Sequence, residues 1–248
     1  MGTIGGGFDG LVEDRRLLGR TSTAERVADI LRTRVAEGYF RLGERLSEEA
    51  MGRALGISRN TLREAFRLLT HERLLVHELN RGVFVRVLTI EDVKDIYRTR
   101  RIIECAVVRN LGESPYDPGG LEAAVSAART AAEEENWHGV STANIHFHQA
   151  LVALSGSART EDLMRGVLAE LRLVFQVVDD PRRLHQPYLM RNREIVDMLG
   201  NGDWSGAERL LARYLDDSRD QLVQAYAASA TYDAQVVSAR GAGTAGDT

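Results

Sequence analysis

Apolar residues recur every three or four positions along most of this chain, a spacing that predicts amphipathic helices. A first helix is predicted from Thr21 to Gly38, which is placed to end it. Ser47 is a suitable N-cap for a second, short helix, whose first turn holds Glu48 and Glu49 where the helix dipole favours negative charge. The predicted apolar face of the first helix consists of Ala24, Val27, Ile30, Leu31 and Val35.

A third helix is predicted from Arg59 to about His71, because Gly56 breaks the chain before it and Ser58 is a good N-cap. Two short helices joined by a glycine-containing turn are typical of a helix-turn-helix. The spacing divides the third helix into an apolar face and a cationic face. The apolar stripe consists of Leu62, Ala65, Phe66 and Leu69, and the outward face carries Arg59, Asn60, Arg63 and Arg67.

Two short strands are predicted next, at 74–77 and 83–87, joined by a turn in which Asn80 and Gly82 supply the backbone geometry. A hairpin in this position is a wing. From Thr89 onward the spacing is helical, first as far as Gly112 and then, after a proline-containing loop, in five more segments. These segments lie at about 119–136, 138–155, 159–178, 184–200 and 204–228.

The predicted fold is mainly α, with an N-terminal winged helix-turn-helix of three helices and a small β-hairpin, followed by an all-α antiparallel helical bundle. The winged helix-turn-helix is predicted at 21–88 and the bundle at 89–228. Residues 1–20 and 229–248 are rich in Gly, Ala or Ser and lack apolar periodicity, so they are predicted to be a flexible N-terminal tail and a disordered C-terminal tail.

The amino-acid composition narrows the class of protein and its place in the cell. The chain has 248 residues, 44% hydrophobic and 27% charged, which is typical of soluble globular proteins. The single cysteine, Cys105, excludes a disulfide within the chain, and no apolar run of about 18 residues is present, so a cytoplasmic location is predicted. Residues 1–88 hold 15 basic and 12 acidic side chains, whereas the remainder holds 17 and 24. The basic N-terminal part favours a polyanionic partner.

The cationic face of the third helix is suited to double-stranded DNA. A helix enters the major groove with its N-terminal residues nearest the bases, where Arg59 and Arg63 lie one turn apart and can bind guanine edges. Asn60 can bind adenine or a phosphate, amides next to Ser58 can bind a phosphate, and Arg81 can enter the minor groove. The alternative is a solvated face, with Glu64 pairing Arg63 or Arg67.

Three stretches carry a family resemblance: LGERLSEE at 42–49, LGISRNTLREAF at 55–66 and NRGVFV at 80–85. They resemble the GntR family of bacterial transcription regulators, and the second half resembles the FCD domain of its FadR-type subfamily, over about 21–228 in all. The resemblance implies main DNA contacts by Arg59 and Arg63. Ser58, Asn60 and Thr61 would surround them, with Arg81 and Gly82 at the wing tip. Members usually have Thr-Pro where this chain has Asn60-Thr61, so some rigidity is expected to be lost there, and DNA preference to differ.

FCD domains commonly hold a divalent metal with one Asp and three His. By resemblance, Asn144 stands at the aspartate position, Asn192 and Tyr214 stand at two histidine positions, and only His148 is retained. One imidazole, two amides and a phenol are poor ligands for such metals, so no tightly bound metal and no other cofactor is expected. His146 projects away from His148 on a helix, and a single Glu135-x-x-His138 match lacks its second copy, so neither restores a site.

The remaining polar residues suggest an effector. Arg100 matches an arginine that the family directs toward the pocket, and a buried arginine without a metal favours a carboxylate or phosphate. The hypothesis is a small organic or sugar acid held by a set of five residues. The alternative is a core that satisfies itself, with Arg100 paired to Glu104, in a domain that only dimerises. The five residues are Arg100, Asn144, His148, Asn192 and Tyr214.

The sequence therefore predicts a cytoplasmic, homodimeric transcription repressor that binds a palindromic operator and responds to a small acid. No membrane partner is expected. Two alternatives stay open: a helical-bundle enzyme with an accessory domain, and a dimeric DNA-binding protein without an effector. The enzyme hypothesis has little support, because the sequence contains no G-x-x-x-x-G-K, G-x-S-x-G or H-E-x-x-H motif.

Overall fold

The computed structural model describes residues 22–111, 117–178 and 180–228. The two predicted tails lie outside these ranges. Within them the chain forms nine helices and three short strands, so the prediction of a mainly α fold is confirmed. The helices are α1 (Thr23–Ala36), α2 (Glu48–Leu55), α3 (Arg59–His71), α4 (Ile90–Asn110), α5 (Gly119–Glu133), α6 (Trp137–Ala153), α7 (Ala158–Phe175), α8 (Pro181–Gly200) and α9 (Trp204–Ala228).

The first three helices begin at side-chain caps. Ser22 and Glu25 form a capping box at α1, while Ser47 and Ser58 accept hydrogen bonds from backbone N–H groups at the starts of α2 and α3. Gly56 ends α2 with φ +65°, a left-handed conformation that glycine adopts without strain. The apolar face of α1 is buried as predicted except for Ile30, which is 49% exposed at its flank.

The wing belongs to a three-stranded antiparallel sheet rather than to an isolated hairpin. Strand β2 (Leu75–Glu78) pairs with β3 (Gly82–Val85), and β1 (Arg45–Leu46) pairs with the other edge of β3, giving the order β1-β3-β2. The sequence did not predict β1, because two residues are too short to show alternation and their partner lies almost 40 residues away. Pairing places Arg45 opposite Phe84, beside the wing.

The other six helices, α4 to α9, form a bundle that we call the helical domain. Helix α4 packs on α9, α5 on α6, and α8 on α9. Helix α8 begins at Pro181, three residues before the predicted start, because Asp180 caps it and proline suits the first helical position. Helix α5 ends before Glu135, which lies in the following turn with φ +54°. None of the helices in the described ranges could cross a membrane.

Two side chains, Arg86 and Gln176, form polar contacts between the winged helix-turn-helix and the helical domain. Arg86, directly after β3, donates to Asp92 of α4 at 2.6 Å and to Glu170 of α7 at 2.7 Å. Gln176, just after α7, donates its side-chain amide to the backbone carbonyl of Val35 at 2.6 Å. Helix α1 therefore lies against α7, and these polar contacts add to an apolar core that includes residues of both parts.

Candidate functional site

The outward face of α3 carries the predicted cations. Arg59, Asn60 and Arg63 are exposed, whereas the apolar stripe of the same helix packs into the core. Among the described residues, no carboxylate lies within 4.0 Å of the Arg59 guanidinium. The first turn of α3 therefore presents an uncompensated positive charge to solvent, as an anionic partner would require.

The two other arginines of this face are paired, and only one pair was foreseen. Arg67 donates to Glu64 at 2.6 Å, as the solvated-face alternative expected. Arg63 pairs instead with Glu48 in the first turn of α2, where Nε lies 2.8 Å from Oε2. Both arginines remain largely exposed, so these ion pairs are screened by water and readily exchanged.

The start of α3 is held by Ser58 and Thr61. The Ser58 hydroxyl accepts the Thr61 N–H at 3.1 Å, and the two side-chain oxygens lie 2.8 Å apart, within hydrogen-bond distance. A proline at position 61 has no N–H and no hydroxyl, so it could form neither bond. In this chain, the departure from Thr-Pro at 60–61 therefore exchanges a fixed backbone angle for two hydrogen bonds.

The wing tip is built by residues with left-handed backbone. Asn80 has φ +60° and Gly82 has φ +112°, a region that side chains rarely tolerate. Between them, Arg81 pairs with Glu78 and lies 5.6 Å from the Phe84 ring centroid. A Cβ at Gly82 would lie 3.1 Å from Nε of Arg45, so a side chain here would displace Arg45 in addition to straining the backbone.

One groove joins α3, the wing and β1. Its volume is about 490 Å³, and its walls include Arg45, Arg59 and Arg81, together with Glu48 and Glu49. Of the predicted DNA-binding residues, Arg59 of the helix and Arg81 and Gly82 of the wing thus line one groove. Arg45 was missed as a candidate because its place beside the wing depends on β1, for which the sequence gives no clear signal.

The five predicted effector residues also come together, inside the helical domain. All five are at least nine-tenths buried, and Glu104 of α4, fully buried, lies among them. Arg100 donates Nε–H to one oxygen of Glu104 at 2.8 Å, and Nδ1 of His148 lies 2.7 Å from the other. Glu104 therefore connects the two nitrogen-bearing side chains, and we call the six residues the polar cluster.

The rest of the polar cluster is linked through Tyr214. Its hydroxyl lies 3.1 Å from Nε2 of His148 and 2.9 Å from Oδ1 of Asn144, which also accepts from the Asn192 amide at 2.9 Å. The single phenolic proton can serve only one of its two neighbours at a time. Nη2 of Arg100 and Oδ1 of Asn192 are buried without a hydrogen-bond partner among the described residues.

Burial and charge set the protonation of this polar cluster. Burial opposes the charge of Glu104, but Arg100 and then His148 outweigh it and lower the pKa of that carboxyl below its ordinary value. Burial also lowers the pKa of His148, against the attraction of Glu104. At neutral pH Arg100 and Glu104 therefore form a buried ion pair, and His148 is neutral, donating from Nδ1 to Glu104.

Comparison with known proteins identifies the architecture. Residues 23–85 match the family described as "Bacterial regulatory proteins, gntR family", and residues 95–217 match the FCD domain. A solved structure described as that of a GntR transcriptional regulator from Rhodococcus sp. RHA1 is 49% identical, with a TM-score of 0.80, and the match covers 83% of this chain and 100% of that one. This chain is a GntR-family transcription regulator with an FCD domain.

Curated proteins similar to this GntR-family regulator are themselves described as transcription regulators. The Nta operon transcriptional regulator of Aminobacter aminovorans is 26% identical over 75% of this chain and 88% of its own length. The Gluconate operon transcriptional repressor of Bacillus licheniformis is 34% identical over 43% of this chain and 44% of its own. Since the domains and relatives are regulators, the enzyme alternative is set aside.

The polar cluster of this FCD domain has a donor set unlike that of the family's metal site. His148 uses both ring nitrogens within the cluster, and the residues that the resemblance matches to the other three ligands are two amides and a phenol. Within the described ranges, no three His, Cys, Asp or Glu residues are grouped so as to hold a metal ion. His146 is exposed on the side of α6 opposite the fully buried His148, as its spacing predicted. These residues do not fit the family's divalent metal.

Proposed function

We propose that this GntR-family regulator is a cytoplasmic, homodimeric repressor that binds a palindromic operator through α3 and the wing. The observation that carries the proposal is the groove that brings Arg59 of the helix, which has no carboxylate partner among the described residues, together with Arg45 of β1 and Arg81 of the wing. A major-groove helix flanked by a minor-groove wing requires such continuity. The curated relatives include an operon repressor, which supports repression rather than activation of transcription.

In this proposal each predicted residue has a role on the duplex. Arg59 and Arg63 contact guanine edges or phosphates, and Arg63 first leaves Glu48, an exchange that costs little at an exposed ion pair. Arg81, with Gly82 beside it, enters the minor groove. Ser58, Asn60 and Thr61 contact backbone phosphates or a neighbouring base around the start of α3.

A selection from random duplexes tests this function. The wild type should enrich a two-fold symmetric site, and Arg59→Ala combined with Arg63→Ala should abolish the enrichment. The matched control is Arg98→Ala combined with Arg193→Ala, which removes two exposed arginines of the helical domain that have only i,i+3 or i,i+4 partners. Retention that is independent of sequence and survives the α3 substitutions would refute the proposal.

The dimer is proposed to form through the helical domain. Several large apolar side chains there remain exposed in the single chain, among them Ile102 at 66% and Met190 at 75%. Pairing through this domain would place two copies of α3 at a fixed separation, which sets the spacing of the half-sites. Light scattering after gel filtration tests this; a monomeric mass at micromolar concentration would contradict it.

The effector is proposed to be a small organic or sugar acid held in the polar cluster by Arg100, Asn144, His148, Asn192 and Tyr214. Support comes from Nη2 of Arg100 and Oδ1 of Asn192, which are buried and have no hydrogen-bond partner in the part of the chain that the structure describes. A ligand carboxylate would accept from Arg100, and a ligand hydroxyl would donate to Asn192. Binding would favour one dimer geometry over another and so change operator affinity.

A thermal-shift screen of organic and sugar acids, gluconate included, tests the effector proposal. An acid that stabilises the wild type should lose its effect in Arg100→Ala. The competing hypothesis, a polar cluster that satisfies itself in a domain that only dimerises, predicts no stabilisation by any acid, or equal stabilisation of both proteins. We further propose that the regulator works without a resident metal, because its donor set does not suit one.

A further inference from the structure

A second polar groove lies at the junction between the winged helix-turn-helix and the helical domain, away from the polar cluster. Its volume is about 320 Å³, within the range of small-molecule sites. Helix α1 forms one wall and helices α6 and α7 form the other. Its principal polar lining residues are Arg32, Thr33, His138, Thr142, Arg165 and Arg172.

Arg172 is the unusual member of this lining. Its side chain is partly buried, and the one hydrogen bond that it forms among the described residues is from Nη1 to the Thr142 hydroxyl, at 3.3 Å. Within those residues, no carboxylate lies within 4.0 Å of its guanidinium. A planar group with five donors therefore faces the groove with most of them unused.

The other charged residues that line the groove form ion pairs with neighbouring side chains. Arg32 donates twice to Glu72 at 2.7 Å, and Arg165 donates to Asp162 at 2.6 Å. The acidic lining residue, Glu37, pairs with Arg34 on α1 at 3.0 Å. The groove thus has a surplus of positive charge that is centred on Arg172.

This arrangement is energetically unfavourable without a counter-ion. Burial lowers the pKa of Arg172, and the attraction of Glu37 offsets this only in part. Burying a cation is costly unless it is paired, and a bidentate carboxylate or phosphate would supply the pairing as well as the missing hydrogen bonds. The groove is open to solvent at exposed residues such as Arg165 and His138, so a small ligand can reach it.

We propose that the groove between α1, α6 and α7 is a binding site for a small organic anion, whose carboxylate or phosphate is held bidentately by Arg172. The Thr142 hydroxyl donates to the same anionic group, and Thr33 and His138 offer further polar contacts at the rim. A volume of about 320 Å³ accommodates a sugar acid, a sugar phosphate or a small carboxylic acid.

The position of the site gives it a regulatory consequence, which rests on the proposed function. Its walls belong to the DNA-binding part and to the helical domain, which also contact each other through Arg86, Gln176 and a shared apolar core. An anion that contacts both walls stabilises one relative position of the two parts. Operator affinity then changes by the difference in anion binding between the free and DNA-bound arrangements.

Isothermal titration of the DNA-free, full-length protein tests the site, with inorganic phosphate and gluconate as separate probes in potassium chloride of matched ionic strength. We expect at least one probe to bind wild type, and Arg172→Gln to bind it about tenfold more weakly or not at all. Arg172→Lys keeps the positive charge but loses the planar guanidinium that can donate two parallel hydrogen bonds, so an intermediate affinity is expected. Arg193→Gln, at an exposed arginine of α8, should bind as wild type does.

The proposal would be overturned by no binding of either probe to wild type, by equal binding by Arg172→Gln, or by binding that is lost in Arg59→Ala but kept in Arg172→Gln. The last would place the anion on the DNA-binding groove. Loss of binding in Arg100→Ala with retention in Arg172→Gln would likewise assign it to the polar cluster. Circular dichroism of each variant verifies folding, and Arg172→Lys serves if Arg172→Gln is unfolded.

Operator binding is then measured with and without the probe that binds. We expect the probe to change the affinity of wild type for the selected operator and to leave that of Arg172→Gln unchanged. This separates the two proposals, because the titration needs no DNA and the selection needs no anion. An equal effect of the probe on both proteins would refute the regulatory role, since it would show a general salt effect.

Discussion

Glu104 and His148 form a fully buried contact between α4 and α6, with Oε2 of the carboxylate 2.7 Å from Nδ1 of the imidazole. The same carboxylate neutralises Arg100, so one side chain satisfies both a buried cation and a buried ring. The polar cluster is thus organised around a residue of the protein itself, and any ligand that binds there has to accommodate or replace Glu104.

Glu104→Gln should destabilise the protein strongly. The amide keeps the shape of the side chain but leaves the Arg100 guanidinium buried without a counter-charge, a change that typically costs about 3–5 kcal/mol. Urea denaturation followed by circular dichroism measures the loss. Glu91→Gln is the matched control, because Glu91 pairs with Lys94 at the surface of the same helix. Equal effects of the two substitutions would show that the buried pair contributes nothing specific.

Glu48→Gln should tighten operator binding. The substitution releases Arg63 and removes a negative charge from the face that meets phosphates, so affinity should rise several-fold, by about 1 kcal/mol. Fluorescence anisotropy at several salt concentrations measures it. The control is Glu49→Gln, which removes the same charge from the same turn but pairs with Arg53. If both variants gain equally, the gain reflects net charge and not the release of Arg63.

Gly82→Ala should damage the wing. At φ +112° an L-residue is strained by about 1–3 kcal/mol, and the new methyl group would press on Arg45. We expect a lower Tm and weaker operator binding. Gly166→Ala should instead stabilise the protein, because nothing lies within 4 Å of a Cβ there. Alanine is more favourable than glycine inside a helix such as α7 by about 0.5–1 kcal/mol. An unchanged Tm in Gly82→Ala would disprove the strain.

Stability should fall as the pH drops from about 6.5 to about 4. Burial lowers the pKa of His185 from 6.5 to about 4, so the unfolded chain takes up a proton in this range while the folded protein does not. Burial acts in the same direction on His148. His185→Leu, which cannot titrate, should flatten the slope of unfolding free energy against pH by up to about 1.4 kcal/mol per unit. A slope identical to that of wild type would contradict the assignment.

Restoring the family's ligands should create a metal site. A variant with Asn144→Asp, Asn192→His and Tyr214→His should bind zinc or nickel, because one carboxylate and three imidazoles then converge on the polar cluster. Glu104 is kept, because it bonds Nδ1 of His148 and leaves Nε2 free for the metal. Plasma mass spectrometry of the metal content is the measurement. The wild type, purified in parallel, is expected to contain less than about 0.1 equivalent of metal. A stoichiometric metal in wild type would contradict the proposal of a metal-free regulator.

The sequence by itself determined the features that depend on neighbours along the chain. Examples are the caps at Ser47 and Ser58, the break at Gly56 and the division of α3 into two faces. They follow from backbone hydrogen bonding and helical spacing, so a few neighbouring residues are enough to predict them. The opposition of His146 and His148 has the same origin. The resemblance then indicated which residues of α4, α6, α8 and α9 would meet.

Only the tertiary structure decided how distant side chains pair. Glu104 was foreseen as a partner of Arg100 one turn away, but its contact with His148 spans 44 residues. The pair of Arg63 with Glu48 and the place of Arg45 beside the wing likewise depend on how α2, α3 and β1 pack. The place of Arg172 in its groove, without a carboxylate partner among the described residues, depends on how α6 and α7 pack against α1, which is far from them in the sequence. Such contacts are set by which side chains the fold buries together, and the spacing of residues along a short stretch of sequence does not predict that.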